Sequence, residues 1–349
     1  MKRVLVVKVT SLGDIVQALP VIADIKRAYP GVQVDWASDE AFAEVVHWSQ
    51  SVDRVLSAPL RRFKKARRWA DFKAIAASIA ELRAYRYDTI VDIHGVYKSA
   101  IIAFLARSSR RIGYRNRDLG ERGAAFAYTG RFGPRPQCDA WHGMRVSTGE
   151  ALNYEVEGPP IYDLRLPTPV KPPFGNETAP VAALFHATSK DDKKWPIGHW
   201  VDVGRELSRR GFKIVLPWGS EGERAEAEQI AAQVPGSTVL PKLSVTEIAQ
   251  MIDACALVVG TDTGFVHLAH ALLKRTVMIF VATSPDHCGI EAPSRSTSIG
   301  DGRHVPSVRA ALDAIDYVQG DSQRAGSQHD ATQEHDLHEV ELHHGSAAA

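Results

Sequence analysis

Residues 4–28 read VLVVKVTSLGDIVQALPVIADIKRA, and the order of textures inside this stretch decides the fold. Residues 4–9 are apolar except for Lys8, as in a strand buried on both faces. Residues 12–28 place Ile15, Leu19, Ile22 and Ile25 at helical spacing. Between them lies a short polar hinge with Ser11, Gly13 and Asp14. A buried strand that turns at once into a helix is the first half of a βαβ unit. Ser11 and Asp14 stand at the spacing of a capping box, and an acidic residue in a first helical turn suits the helix dipole. The same loop is where doubly wound folds meet their ligands. Asp14 therefore reads either as a cap or as a chemical group.

The alternation continues. Gln33 to Trp36 reads as a second strand, residues 70–86 as an amphipathic helix, and Thr89 to Ile93 as a strand ending in a polar loop. Prolines then crowd the stretch from Gly158 to Pro180, a linker texture. Beyond it, VAALFHAT, FKIVLPWG, ALVVGTD and RTVMIFVAT read as strands. Helices fill the gaps: one opening at Pro196 and stopping at Gly211, GERAEAEQIAAQV, SVTEIAQMIDAC with Ser244 and Glu247 as a capping box, and TGFVHLAHALL. The expectation is an α/β protein with two doubly wound domains facing across a cleft. Residues 1–165 and 180–320 would form the domains, 166–179 the linker, and 321–349 a disordered tail whose histidines lack a fixed metal-ligand spacing.

Composition narrows the function. The chain has 349 residues, a formal net charge of +1, and 44% hydrophobic residues, ordinary for a globular protein. No apolar stretch approaches the roughly 18 residues of a membrane span. The start lacks a signal-peptide pattern, and Cys138, Cys255 and Cys288 form no C-x-x-C pair. These features point to the cytoplasm. The G-x-G-x-x-G and P-loop patterns are missing, as is a D-x-D triplet, which speaks against dinucleotide dehydrogenases, P-loop enzymes and metal-bridged nucleotide-sugar sites.

Two loops carry chemistry in the second half. FHATSKDDKKWP follows a strand and offers the hydroxyls of Thr188 and Ser189 with Lys190, Lys193 and Lys194, a set suited to a phosphate or diphosphate or else a solvated charged turn. In VVGTDTGFVHLAH, Gly264 opens a helix whose free N–H groups form an anion site, with His267 about one turn inside. An ordinary N-cap at Asp262 and a packed core histidine fit the same residues. In the first half, six of the eight residues from Arg61 to Arg68 are Lys or Arg, and Phe63 and Trp69 interleave with them. Such a run suits a solvated helix face, nucleic acid, or an anionic lipid head group. The near-neutral chain favours a localised acidic ligand over a long polyanion.

Four stretches in register, KVTSLGDIVQALP, HATSKDDKKWP, LPWGSEGER and GTDTGFVHLAHAL, resemble the heptosyltransferases of glycosyltransferase family 9 from residue 1 to about 317. The HAT…DDKxWP form is similar to the type I branch. The resemblance implies a GT-B fold and an inverting transfer of L-glycero-D-manno-heptose from ADP-heptose to a Kdo sugar of the lipid A core precursor. It implies work at the inner face of the cytoplasmic membrane, as a peripheral protein, without metal, other cofactor or nucleic acid. Carried over residue by residue, Asp14 is the general base and Lys193 neutralises the diphosphate leaving group. Thr188, Ser189, Asp262, Thr263, Gly264 and His267 surround the donor phosphates and heptose. Glu221 meets the ribose, and Trp218 and Leu243 line the adenine pocket. Arg61, Lys64, Lys98 and His142 bind the acceptor. Gly120-Glu121-Arg122-Gly123 stands where the family commonly has Arg-Glu-Pro, so a shifted Arg122 would be the acceptor-site arginine. The rivals are another heptosyltransferase type, a non-catalytic nucleotide- or glycan-binding module, and a nucleic-acid binder using residues 61–68.

Overall fold

The computed structural model describes residues 1–60, 68–169, 174, 178–188 and 190–320. Arg61, Lys64 and Ser189, with the tail from residue 321, lie outside these residues.

The opening stretch folds as its texture dictates. Arg3–Val7 forms strand β1, and Val4 to Val7 are fully buried. It lies between Gln33–Asp39 (β2) and Thr89–Asp92 (β4), parallel to both, with Val7 opposite Ala37 and Asp92. Arg54–Ala58 (β3), Arg111–Tyr114 (β5) and Gly130–Phe132 (β6) complete a parallel sheet of order β3-β2-β1-β4-β5-β6. The second sheet consists of Val181–Phe185 (β7), Lys213–Leu216 (β8), Thr238–Val239 (β9), Leu257–Thr261 (β10), Thr276–Ile279 (β11) and Ser296–Ile299 (β12). Its order is β12-β11-β10-β7-β8-β9, again all parallel. Numbered within its own domain, each sheet has the 3-2-1-4-5-6 order of a doubly wound nucleotide-binding fold. The order reverses between β1 and β4 in one domain and between β7 and β10 in the other. At such a switch point neighbouring loops leave on opposite faces and open a crevice.

Two sequence expectations need correction. The single helix expected over 12–28 is two, Leu12–Ala18 and Pro20–Ala28. Pro20 has no N–H to give Val16, and its ring crowds that residue's carbonyl. The helix expected to begin on Pro196 runs over Ile197–Arg209, with Pro196 as its N-cap.

The domains are packed together. One hydrophobic cluster runs from Val4 and Ile15 through Leu12 and Val16 to Val266 and Leu268 of the second domain. The contact is made where helix Leu12–Ala18 meets helix Gly264–Ala271. A Cβ on Gly264 would stand 2.9 Å from Leu12 Cβ and 3.0 Å from the Gly13 nitrogen, and one on Gly13 2.9 Å from the His267 ring. Glycine at both positions is thus a steric requirement of the approach. Among the described residues no helix is long and apolar enough to cross a membrane.

Candidate active site

The loops after β1, β4, β7 and β10, those of both switch points, bring the candidate residues together.

Asp14 occupies the third position of its helix, with Ser11 as N-cap. Its Oδ2 accepts hydrogen bonds from the Ser11 amide at 2.9 Å and the Ser11 hydroxyl at 2.7 Å. Ser11 and Asp14 stand as the two members of a capping box, with the Asp14 carboxylate accepting from the Ser11 amide. The Lys8 ammonium, on a side chain only 8% exposed, lies 3.1 Å from Oδ1. Burial alone would raise the Asp14 pKa. The Lys8 charge and the Ser11 hydrogen bonds outweigh it and hold it down at about 2. Asp14 therefore keeps its charge at any ordinary pH.

His94, on the loop after β4, faces the same point. Its Nδ1 accepts the Val9 amide at 3.2 Å. Burial, then the Lys8 charge, push its pKa down to about 3, so the ring is neutral and its free proton sits on Nε2. Asp92 holds this loop: its carboxylate accepts the amides of His94 and Gly95 at 2.8 and 3.0 Å and the Tyr128 hydroxyl at 2.7 Å. Sequence reasoning missed Lys8 and His94 as site residues. A lysine inside a doubly buried strand was the available signal for Lys8.

The second domain gathers Lys193, His267 and a helix start around Asp262. Asp262 follows β10, and Thr263 caps helix Gly264–Ala271. Lys193, on a short 3-10 turn after β7, places Nζ 2.6 Å from Asp262 Oδ2. His267 Nε2 lies 3.4 Å from Oδ1, and the Thr188 hydroxyl donates to the Asp262 carbonyl at 3.5 Å. Burial would raise the Asp262 pKa, but hydrogen bonds from His267 and Lys193 bring it to about 2. Gln17, from the first domain, reaches the His267 ring at 3.4 Å. The Cys288 thiol, 3.9 Å from Asp262 Oδ1, is pushed up to about 12 by burial, then by Asp262, and it feels the Asp14 charge as well. The carboxylates of the two domains thus act on one thiol.

Asp262, His267 and Cys288 form the one group of potential metal ligands found among the described residues, with donor atoms within 4.8 Å of each other. The Lys193 ammonium already holds the carboxylate of this group.

The other expected donor residues lie after β8 and before helix Val245–Ala254. Trp218, after β8, is buried and donates Nε1–H to the Leu240 carbonyl at 2.6 Å, with Arg224 over its ring. Leu243 packs on the main hydrophobic cluster nearby in the chain. Glu221 is 78% exposed at the start of its helix and lies 3.6 Å from Arg224, while Ser220 and Glu223 do the capping.

The acceptor candidates are less gathered. Lys98 is the second residue of the helix Tyr97–Leu105 and its charge reaches His94. Arg122 is exposed at the start of the 3-10 segment Arg122–Ala127. His142 lies elsewhere, on the wall of a 640 Å³ cavity shared by Arg145, Tyr162 and Ser298. Next to it Trp141 packs at a tilt against His267 and edge-on against His270, and donates to the Gly289 carbonyl at 3.0 Å, bridging the domains.

Comparison with known proteins matches this architecture. Residues 75–310 fit the family model described as glycosyltransferase family 9 (heptosyltransferase). Lipopolysaccharide heptosyltransferase 1 of Escherichia coli (strain K12) is 31% identical over 291 residues, covering 82% of this chain and 90% of that protein. The structure of E. coli heptosyltransferase WaaC with ADP superposes with a TM-score of 0.79 at 29% identity, covering 90% of this chain and 99% of the other. Its complex with ADP-2-deoxy-2-fluoro heptose gives 0.75 at 28%, with the same coverage.

Proposed function

The chain belongs to glycosyltransferase family 9, and from that membership and the cleft geometry we propose that it moves L-glycero-D-manno-heptose from ADP-heptose to Kdo of the lipid A inner core. The supporting observation is the pairing across the cleft. Gly13, beside the ionised Asp14 of one domain, abuts Gly264 at the helix start of the other, and Cys288 feels the charges of Asp14, Asp262 and Lys193 together.

In this reading the donor diphosphate sits over Gly264 and Thr263. Lys193 leaves Asp262 for the phosphate oxygens and neutralises the charge that grows as the bond from the anomeric carbon to ADP breaks. The acceptor hydroxyl attacks from the opposite face, which inverts the configuration. Asp14 takes the hydroxyl proton as the new bond forms. With a pKa near 2 it is a weak base, effective late, once the attacking oxygen has become acidic. Lys8 keeps it ionised, and neutral His94 can donate Nε2–H to an acceptor oxygen. The fixed positive groups stand where a metal would otherwise balance charge, so the reaction runs without one.

Thr188, Ser189, Asp262 and His267 hold donor phosphates and heptose, Glu221 the ribose, and Trp218 with Leu243 the adenine. Arg61, Lys64, Lys98, Arg122 and His142 hold the anionic acceptor, and the protein rests on the inner face of the cytoplasmic membrane. The test is heptose transfer from ADP-heptose to Kdo-lipid A in the presence of a chelator. ADP binding without transfer would leave a non-catalytic module, and a requirement for added metal would overturn the metal-free step.

A further inference from the structure

Three groups that ligate metals converge beside the donor loops. Asp262, His267 and Cys288 bring their donor atoms within 4.8 Å of one another. His267 Nε2 lies 3.4 Å, and Cys288 Sγ 3.9 Å, from Asp262 Oδ1. A tetrahedral zinc ion, with bonds of about 2.0–2.2 Å to nitrogen and oxygen and about 2.3 Å to sulfur, sets its ligand atoms roughly 3.3–3.7 Å apart. The first spacing falls inside that range. The second closes with a small turn of the Cys288 side chain.

The surroundings suit a cation. Lys193 takes Oδ2 of Asp262, which leaves Oδ1 turned to His267 and Cys288. The Cys288 sulfur feels the carboxylates of Asp262 and Asp14 as well as the Lys193 ammonium, and Asp262 outweighs the ammonium, so the balance there is negative. Gln17 of the first domain lies 3.5 Å from His267 Nδ1. With Nε2 on a metal, Nδ1 carries the ring proton, and the Gln17 amide turned oxygen-first accepts it, which fixes the ring. His267 is buried, while Asp262 and Cys288 are half-buried, so an ion can enter from their side and keep a water as fourth ligand.

The donor set selects the ion. One thiolate, one imidazole and one carboxylate favour zinc, and cobalt(II) as its stand-in, over magnesium, calcium or manganese, which take oxygen ligands. The Cys288 thiol holds its proton in the metal-free protein. The Zn–S bond forms as that proton leaves to water, so the step needs no oxidant or reductant.

We propose that Asp262, His267 and Cys288 are the protein ligands of an inhibitory zinc site. The ion takes Asp262 and His267 away from the donor, and its charge drives the Lys193 ammonium off the carboxylate. Bound zinc therefore stops transfer. The inhibition rests on the donor reading given above, and the binding of zinc does not.

Cobalt(II) titration of the full chain reads the binding. Thiolate ligation gives a sulfur-to-cobalt charge-transfer band in the near ultraviolet, which the histidines of residues 321–349 cannot produce. The band should appear in the wild type, disappear when zinc is added, and be missing from Cys288→Ser and Cys288→Ala. It should survive in Cys138→Ser, which removes the exposed thiol. Zinc should slow heptose transfer by the wild type, and magnesium should not. Cys288→Ser should keep zinc-free turnover within about twofold of the wild type and need at least about tenfold more zinc for the same inhibition, since it loses a ligand. A wild type without the band, or a band that persists in the Cys288 variants, would overturn the site. Zinc that binds and leaves transfer unslowed would overturn its inhibitory role. A chain that shows the band yet moves no heptose without zinc would keep the metal site and remove the functional reading instead.

Discussion

The ammonium of Lys8 and the carboxylate of Asp14 lie 3.1 Å apart, at the end of the central strand and the start of the helix that follows it. This pair sets the protonation of the proposed base. Lys8→Met removes one of the two contributions that offset burial, the other being the Ser11 hydrogen bonds, so the Asp14 pKa should climb from about 2. The acid limb of the kcat/KM profile should then move to higher pH. An unmoved limb would mean that Lys8 does not govern the base.

Asp14→Asn retains the shape and loses the proton acceptor. Turnover should fall by about 10²–10⁴-fold while ADP affinity, measured by calorimetry, stays close to that of the wild type. Turnover within tenfold of the parent would remove Asp14 from the role of base.

Lys193→Ala acts from the other side of the cleft. Donor binding should weaken and turnover drop by about 10²–10³-fold, because a fixed positive charge is lost where negative charge develops. Asp262 would also lose its 2.6 Å partner, and its pKa should rise from about 2. Unchanged donor affinity and turnover would contradict the phosphate assignment.

Gly264→Ala tests the domain contact. The new methyl would sit 2.9 Å from Leu12 and 3.0 Å from the Gly13 backbone, and backbone cannot swing away as a side-chain tip can. The expected cost is about 1–3 kcal/mol in urea unfolding, with a larger radius of gyration in solution scattering. A variant as stable and compact as the parent would show that the domains do not need this approach.

Acid should destabilise the protein early. His94 and His270 are held to about 3 by burial, from 6.5 in the unfolded chain, and His186 is shifted the same way. Below pH 6.5 the unfolded state binds protons that the folded state refuses. Stability is therefore full above that pH and falls as pH drops toward 3, by about 1.4 kcal/mol per unit for each of His94 and His270. His270→Asn should make the acid limb of a Tm profile shallower, and an identical limb would count against the assignment.

Much of this architecture is visible in the sequence because its signals are local. The β1 stretch, the Ser244–Glu247 box and the Gly264 helix start each depend on residues a few positions apart, and each forms as expected. What the sequence hides is pairing across strands and domains. His94 reaches Val9 because β4 lies beside β1, and Cys288 meets Asp262 because the loop after β11 folds back over the cleft. No periodicity encodes either. Pro20 shows a different failure: the apolar period runs on through it and masks the break. The helix expected over 70–86 forms over Trp69–Leu82, but an amphipathic pattern does not reveal whether its apolar stripe is covered.

The touching glycines place the fulcrum of the molecule next to its chemistry. Rocking one domain on the other about Gly13 and Gly264 displaces atoms in proportion to their distance from that point. Groups beside it, Asp14 and His267 among them, hardly shift, while the far rims swing widely. Any rocking about this point would open the margins of the cleft while leaving the spacing of the groups beside the glycines unchanged.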